Sequence, residues 1–231
     1  MTTARASAFL VATFLCLNTL TSARADFIPI SNPGDPYPLG GTYLSSTHLI
    51  PITATEFSTV SSITEGILTA SFSAPAEVLS VASGSWSTWS SPPLSEDPAP
   101  TVLWTQGLAT LTITFSTPVN AFGVELEPNQ VGLPNLPMMT ATFFSGGSTS
   151  GSIVRPVDGN GGALLFAAAA TSPSSPFTSV TLSNDSGDFG IAQFRYSTPS
   201  SVPEPSQLVL LIFTLPGLIG FTHFYRRFQR A

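Results

Sequence analysis

Glu125 and Glu127, two residues apart, are the side chains of this chain best suited to do chemistry. On a strand such positions face the same side. A pair of carboxylates is all that glycoside hydrolysis asks of a protein, one as acid and the other as base or nucleophile. The alternation that pairs them also puts Phe122, Val124 and Leu126 in a core and turns both glutamates to water, so a solvated strand face explains them without any reaction.

Other constellations are thinner. His48 is the only histidine ahead of the C-terminal tail. A nucleophile needs a base and an orienting group, so a lone imidazole reads as a strand-surface residue. His223 falls at the end of an apolar run, where a membrane interface suits it. Asn184, Asp185 and Asp188, and Asp158 with Asn160, carry the oxygens that Ca2+ prefers. Turn chemistry accounts for both stretches as well, so Ca2+ is an open option and no metal site is assigned. Trp86 and Trp89 stand in a serine-rich stretch. With Trp104 they could offer an aromatic platform to a sugar ring, or simply cap the end of a core.

These residues must be positioned by strands. Leu111, Ile113 and Phe115 alternate with Thr110, Thr112, Thr114 and Ser116, and the pattern resumes at Phe122, Val124 and Leu126. The same period recurs at Leu68, Ala70 and Phe72, at Met139, Ala141 and Phe143, at Val180 and Leu182, and at Phe189 and Ile191. Strict alternation with β-branched polar partners marks strands buried on one face. Gly146-Gly147, Asp158 to Gly162, Pro173 to Pro176 and Asn184 to Asp188 supply turns between them. Ala163 to Ala170 has a helical composition but is short and flanked by Gly and Pro, which favours a strand. Ser83 to Pro100 reads as a long loop at the surface or rim, and Thr42 to Ile50 as the first strand. Many short strands without helical periodicity predict an all-β fold, an antiparallel β-sandwich of jelly-roll type. A β-helix would need a repeat of fixed period, and there is none.

Composition narrows the function classes. Of 231 residues 42% are hydrophobic and only 9% charged, with a net charge of -6 and no lysine. Between the two ends the only basic residues are Arg155 and Arg195, which excludes the basic footprint of nucleic-acid binding. At the N-terminus, Met1 to Arg5 is a positive n-region, Ala6 to Leu20 an apolar h-region, and Ala23-Arg24-Ala25 a small-x-small cleavage site. Residues 1–25 therefore predict a secretory signal peptide, with Asp26 as the new N-terminus. The one cysteine, Cys16, leaves with it.

The C-terminal tail has three parts. Val202, Pro203, Glu204 and Pro205 are followed by an apolar run from Leu208 to Phe224 and then by Arg226, Arg227 and Arg230. The run is long enough to cross a bilayer core of about 30 Å. The arginines place the end of the chain in the cytoplasm. Pro216 is tolerable within such a helix.

This order of Pro-Glu-Pro, apolar segment and arginines resembles the PEP-CTERM sorting signal of bacterial envelope proteins. The resemblance implies recognition by an exosortase, a membrane-embedded transpeptidase-like enzyme, and thus export and surface sorting. An ordinary single-span anchor behind a proline-rich stalk remains the alternative. More weakly, Leu111 to Glu127 with Phe115, Pro118-Val119 and Ala121-Phe122-Gly123, and the later Phe189 to Tyr196, resemble the β-sandwich domain common in PEP-CTERM proteins. That late strand usually carries an Asp-Asn pair where this chain has Ala192-Gln193.

The expected organisation is a signal peptide over 1–25, an irregular lead-in over 26–41, a β-sandwich over 42–196 and a linker with the sorting motif over 197–207. A transmembrane helix over 208–225 and a basic cytoplasmic tail over 226–231 complete it. The expected role is that of a non-enzymatic structural or adhesive protein of the cell envelope or extracellular matrix. Its processing partners would be signal peptidase and exosortase, and its surroundings the membrane and surface polysaccharide. A carbohydrate-binding module using Trp86 and Trp89 is the alternative, and a glycoside hydrolase using Glu125 or Glu127 a further one.

Overall fold

The computed structural model describes residues 27–38, 40–130, 135–170 and 175–199. The signal peptide, the sorting motif, the apolar segment and the terminal arginines lie outside the described residues. Within them the chain is all-β apart from one helical turn. The first strands are β1 (Phe27–Ile30), β2 (His48–Leu49), β3 (Thr59–Glu65), β4 (Leu68–Ser80), β5 (Thr101–Trp104) and β6 (Thr110–Val119), with α1 (Tyr43–Ser46) between β1 and β2. Then follow β7 (Ala121–Pro128), β8 (Met138–Ser145), β9 (Ser148–Pro156), β10 (Leu164–Ala170), β11 (Phe177–Asn184) and β12 (Phe189–Ser197).

All recorded strand pairs are antiparallel and belong to one sheet, in the order β1-β10-β7-β12-β5-β4-β6-β11-β8-β9, with β2 on β12 and β3 on β4. The sheet folds over at β4. Its first half pairs with β6 from Ala70 to Phe72, its second half pairs with β5 from Glu77 to Ser80, and Pro75 lies between. A strand that changes partners along its length lets one sheet wrap round on itself. The two ends of the sheet nearly meet. Phe27 of β1 packs on Phe143 at 5.5 Å between ring centres and lies on Gly151 of β9, where a Cβ would come within 2.5 Å of the ring. Arg155 of β9 crosses the seam to the carbonyls of Ile30, Ser31 and Leu165.

The core enclosed by the wrapped sheet is where the alternation places it. Leu111, Ile113, Phe122, Val124, Leu126, Phe143, Val180, Leu182, Phe189 and Ile191 are all buried in one cluster. On the outside of β6 and β11, Thr112 and Thr181 meet at 3.0 Å between hydroxyl oxygens, a cross-strand pair of the kind that stabilises solvated sheet faces. Ala163 to Ala170 supplies the strand β10, as its flanks predict. Ser83 to Pro100 contains no strand.

Three expectations are corrected. The lead-in predicted to be irregular contains β1, which pairs with β10 along the edge of the sheet, where Pro29 is tolerated. Thr42 to Ile50 is not a strand but α1 followed by the short β2. The Thr42 hydroxyl accepts from Ser45 N, the Ser45 hydroxyl accepts from Thr42 N, and this reciprocal cap outweighs the β preference of the stretch. Finally, β7 is buried on both faces, not one.

Candidate functional site

The second cover on β7 comes from two irregular segments. Residues 31–47 bring Tyr37 and Tyr43 onto Ala121, Leu165, Ala167 and Ala169. Tyr43 fits because position 123 is glycine, since a Cβ there would lie 2.4 Å from the Tyr43 hydroxyl and 2.3 Å from Ala167 Cβ. Further along the same face, the loop after β4 folds back over β7, β12 and β5, with Leu79, Trp86, Val102 and Ala192 buried together.

Register explains where Trp86 lands. Glu77, Trp104, Gly190 and Glu127 are consecutive partners across β4, β5, β12 and β7 and so form one row. At the position of Gly190 the row has no side chain, and Trp86 fills the gap. A Cβ on Gly190 would stand 2.8 Å from Trp86 Cζ2.

The loop is tied down by carboxylates. Trp86 Nε1 donates to Glu127 Oε2 at 3.0 Å, and the Thr88 hydroxyl lies against Glu127 Oε1. Trp89 Nε1 donates to Glu125 Oε2 at 2.8 Å, and the backbone N–H of Glu96 to Glu125 Oε1 at 2.6 Å. The Ser90 hydroxyl donates to Ala163 O at 2.5 Å. Glu96 in turn holds Arg195 through two contacts, at 2.5 and 2.6 Å, and Arg195 also donates to Thr47 O at 2.9 Å. This ion pair therefore joins the loop, β12 and the 31–47 segment. On the far side of the row, Trp104 Nε1 donates to Asp188 Oδ2 at 2.5 Å. All three indole N–H groups thus end on carboxylates.

Glu125 and Glu127 do share a face, as their spacing predicts, but they do not face water. Their relative exposures are 0% and 1%. Burial pushes each carboxyl up to about 7, against the opposing pull of Trp89 and the Glu96 N–H on Glu125 and of Thr88 and Trp86 on Glu127. Every carboxylate oxygen accepts a donor from the loop, so neither is presented to a substrate. The arrangement is a clamp on the loop.

The expected sugar platform is corrected as well. Trp86 is 6% exposed, packed against the sheet, and Trp89 is half-buried with its N–H committed. Of the three tryptophans, Trp86 and Trp104 border an open cleft. The oxygens considered for Ca2+ are engaged by the protein itself: Asp185 Oδ1 accepts from Met138 N at the start of β8, and within turns Asn184 Oδ1 accepts from Ser186 N and Asp158 Oδ1 from Asn160 N. Among the described residues no group of three or more His, Cys, Asp or Glu is arranged to hold a metal. His48 is exposed and lies beside Tyr196, with 5.7 Å between ring centres. Thr88, Glu96, Arg195 and Asp188 complete the clamp. The sequence marks them only as polar residues in and near turns.

No protein-family model matches this chain, and no curated protein matches it.

Proposed function

We propose that this chain is an exported protein of the bacterial cell envelope or extracellular matrix, processed at both ends and without catalytic activity of its own. The observation that carries the reading is the order of the C-terminal tail: Val202, Pro203, Glu204 and Pro205, then the apolar run, then Arg226, Arg227 and Arg230. In this reading signal peptidase cuts after Ala25. The helix over 208–225 then holds the chain in the membrane until an exosortase recognises Pro-Glu-Pro. The wrapped antiparallel sheet is read as a jelly-roll-type sandwich displayed outside the inner membrane, with a structural or adhesive role.

Two features support the non-catalytic part. Glu125 and Glu127 have all four carboxylate oxygens engaged by the loop that covers them. Only 9% of the residues are charged and lysine is absent, as suits a protein living among polysaccharide.

The test is removal of residues 202–231 followed by fractionation of cells and medium. The shortened chain should leave the cell surface for the medium with an unchanged circular dichroism spectrum. Normal surface attachment after the deletion would overturn the reading.

A further inference from the structure

We propose that the cleft between the 85–88 stretch of the loop and the ends of β5 and β7 binds a neutral saccharide. The cleft has a volume of about 290 Å³. That is close to the lower end of ligand sites, about 300–1,000 Å³, and suits one sugar unit or the end of a glycan chain. Its polar lining residues are Ser85, Ser87, Thr88, Asn129 and Gln130, and its aromatic wall is formed by Trp86 and Trp104. Among the described residues no charged side chain lines it.

That combination matches a pyranose, whose C–H face lies on an aromatic ring while its hydroxyl edge meets amides and hydroxyls. The ring is held in place from behind. Trp104 Nε1 donates to Asp188 Oδ2, and Asn129 Nδ2 donates to the same oxygen at 3.1 Å. Gln130 Nε2 donates to Ser186 O. Both amides therefore spend an N–H on the protein, which leaves their carbonyl oxygens to accept from sugar hydroxyls. A pre-set ring and pre-set amides lower the ordering cost of binding.

Charge selects among ligands. Asp188 and Glu127 stand directly behind the cleft through the tryptophans they hold, and the chain carries a net charge of -6. An acidic polysaccharide meets repulsion there, with no cation among the described lining residues to offset it.

The inference deepens the envelope reading and rests on it only for the source of the sugar, a polysaccharide of the surrounding matrix. The test is titration of the full chain in detergent with neutral oligosaccharides (gluco-, galacto- and manno-oligomers) and with oligogalacturonate, followed by tryptophan fluorescence. At least one neutral series should shift the emission saturably, and oligogalacturonate should not. Trp104→Ala should weaken that binding at least tenfold, and Trp104→Phe, which keeps a ring, should recover part of it. Asn129→Ala with Gln130→Ala, on residues that are not buried, should weaken it at least fivefold with the far-ultraviolet circular dichroism spectrum unchanged. That double variant carries the test if Trp104→Ala fails to fold. Absence of saturable binding to every neutral series, tighter binding of oligogalacturonate, or affinity unchanged in the double variant would overturn the proposal. C-terminal processing is read separately by mass, so failure of the cleft and failure of the sorting reading are told apart.

Discussion

Trp86 and Glu127 lie 41 positions apart in the chain and meet through a 3.0 Å bond from the indole N–H to a carboxylate oxygen that is shut off from solvent. The bond does two things at once. It satisfies a buried donor and a buried acceptor, and it fixes a long loop across the outer face of β7. Trp89 and Glu125 repeat the arrangement two residues along the strand.

The two carboxyls are not equivalent as proton holders. Glu127 Oε1 lies against the Thr88 hydroxyl, which also reaches Gly159 O at 2.9 Å. That hydroxyl has a single proton for two acceptors. A protonated Glu127 can donate to Thr88 while Thr88 donates to Gly159. Glu125 faces two N–H donors, and neither can accept. Glu127→Gln should therefore change stability by less than about 1 kcal/mol at pH 4.5, and Glu125→Gln should cost about 1–3 kcal/mol there by turning an amide NH2 toward an N–H. Urea melts of the two variants measure the difference.

Stability should fall as pH rises from 4.5 to about 7. Each carboxyl titrates near 4.5 when unfolded and near 7 when folded. Between those values the folded chain binds more protons than the unfolded one, and so raising pH favours unfolding. The loss should be on the order of 3 kcal/mol per carboxyl at most, and flat above that window. Urea melts from pH 4.5 to 8 should show it, with roughly half of the slope gone in Glu127→Gln.

Gly190→Ala should loosen the loop. The added Cβ would meet Trp86 Cζ2 and Val102 Cγ1, each at 2.8 Å. Overpacking of this kind costs about 1–3 kcal/mol. The near-ultraviolet circular dichroism of the tryptophans should weaken, and limited proteolysis should cut between Ser83 and Pro100.

Arg195→Ala should free both covers of β7 together. Glu96 and Arg195 have side-chain exposures of 20% and 13%, so the pair is partly screened. The cost should fall between the ~1 kcal/mol of an exposed pair and the ~3–5 kcal/mol of breaking a buried one. Hydrogen exchange in residues 40–50 and 83–100 should rise in the same variant.

The strands were legible because their alternation is local. Leu111, Ile113 and Phe115 announce β6 without reference to anything distant in the chain. Gln193 marks where that reading stops working. It adopts φ 51° in a bulge between Ala192 and Arg195, so burial passes from Phe189 and Ile191 to Phe194 and Tyr196, off by one position. No feature of the composition there announces the shift. The covering of β7 was equally hidden. Glu125 and Glu127 read as solvent-facing because alternation describes one strand at a time, whereas their burial depends on a loop whose tryptophans are 36 and 41 positions away. Trp86 and Trp89 read as exposed for the complementary reason, since polar neighbours in sequence are not neighbours in space.

The central claim is that the tail is a processed sorting signal, and intact mass of the protein recovered from its native envelope tests it most directly. The account predicts a chain that begins at Asp26 and has lost the apolar segment and terminal arginines that follow Pro205. A mass corresponding to Asp26 through Ala231 would contradict it and leave a plain membrane anchor.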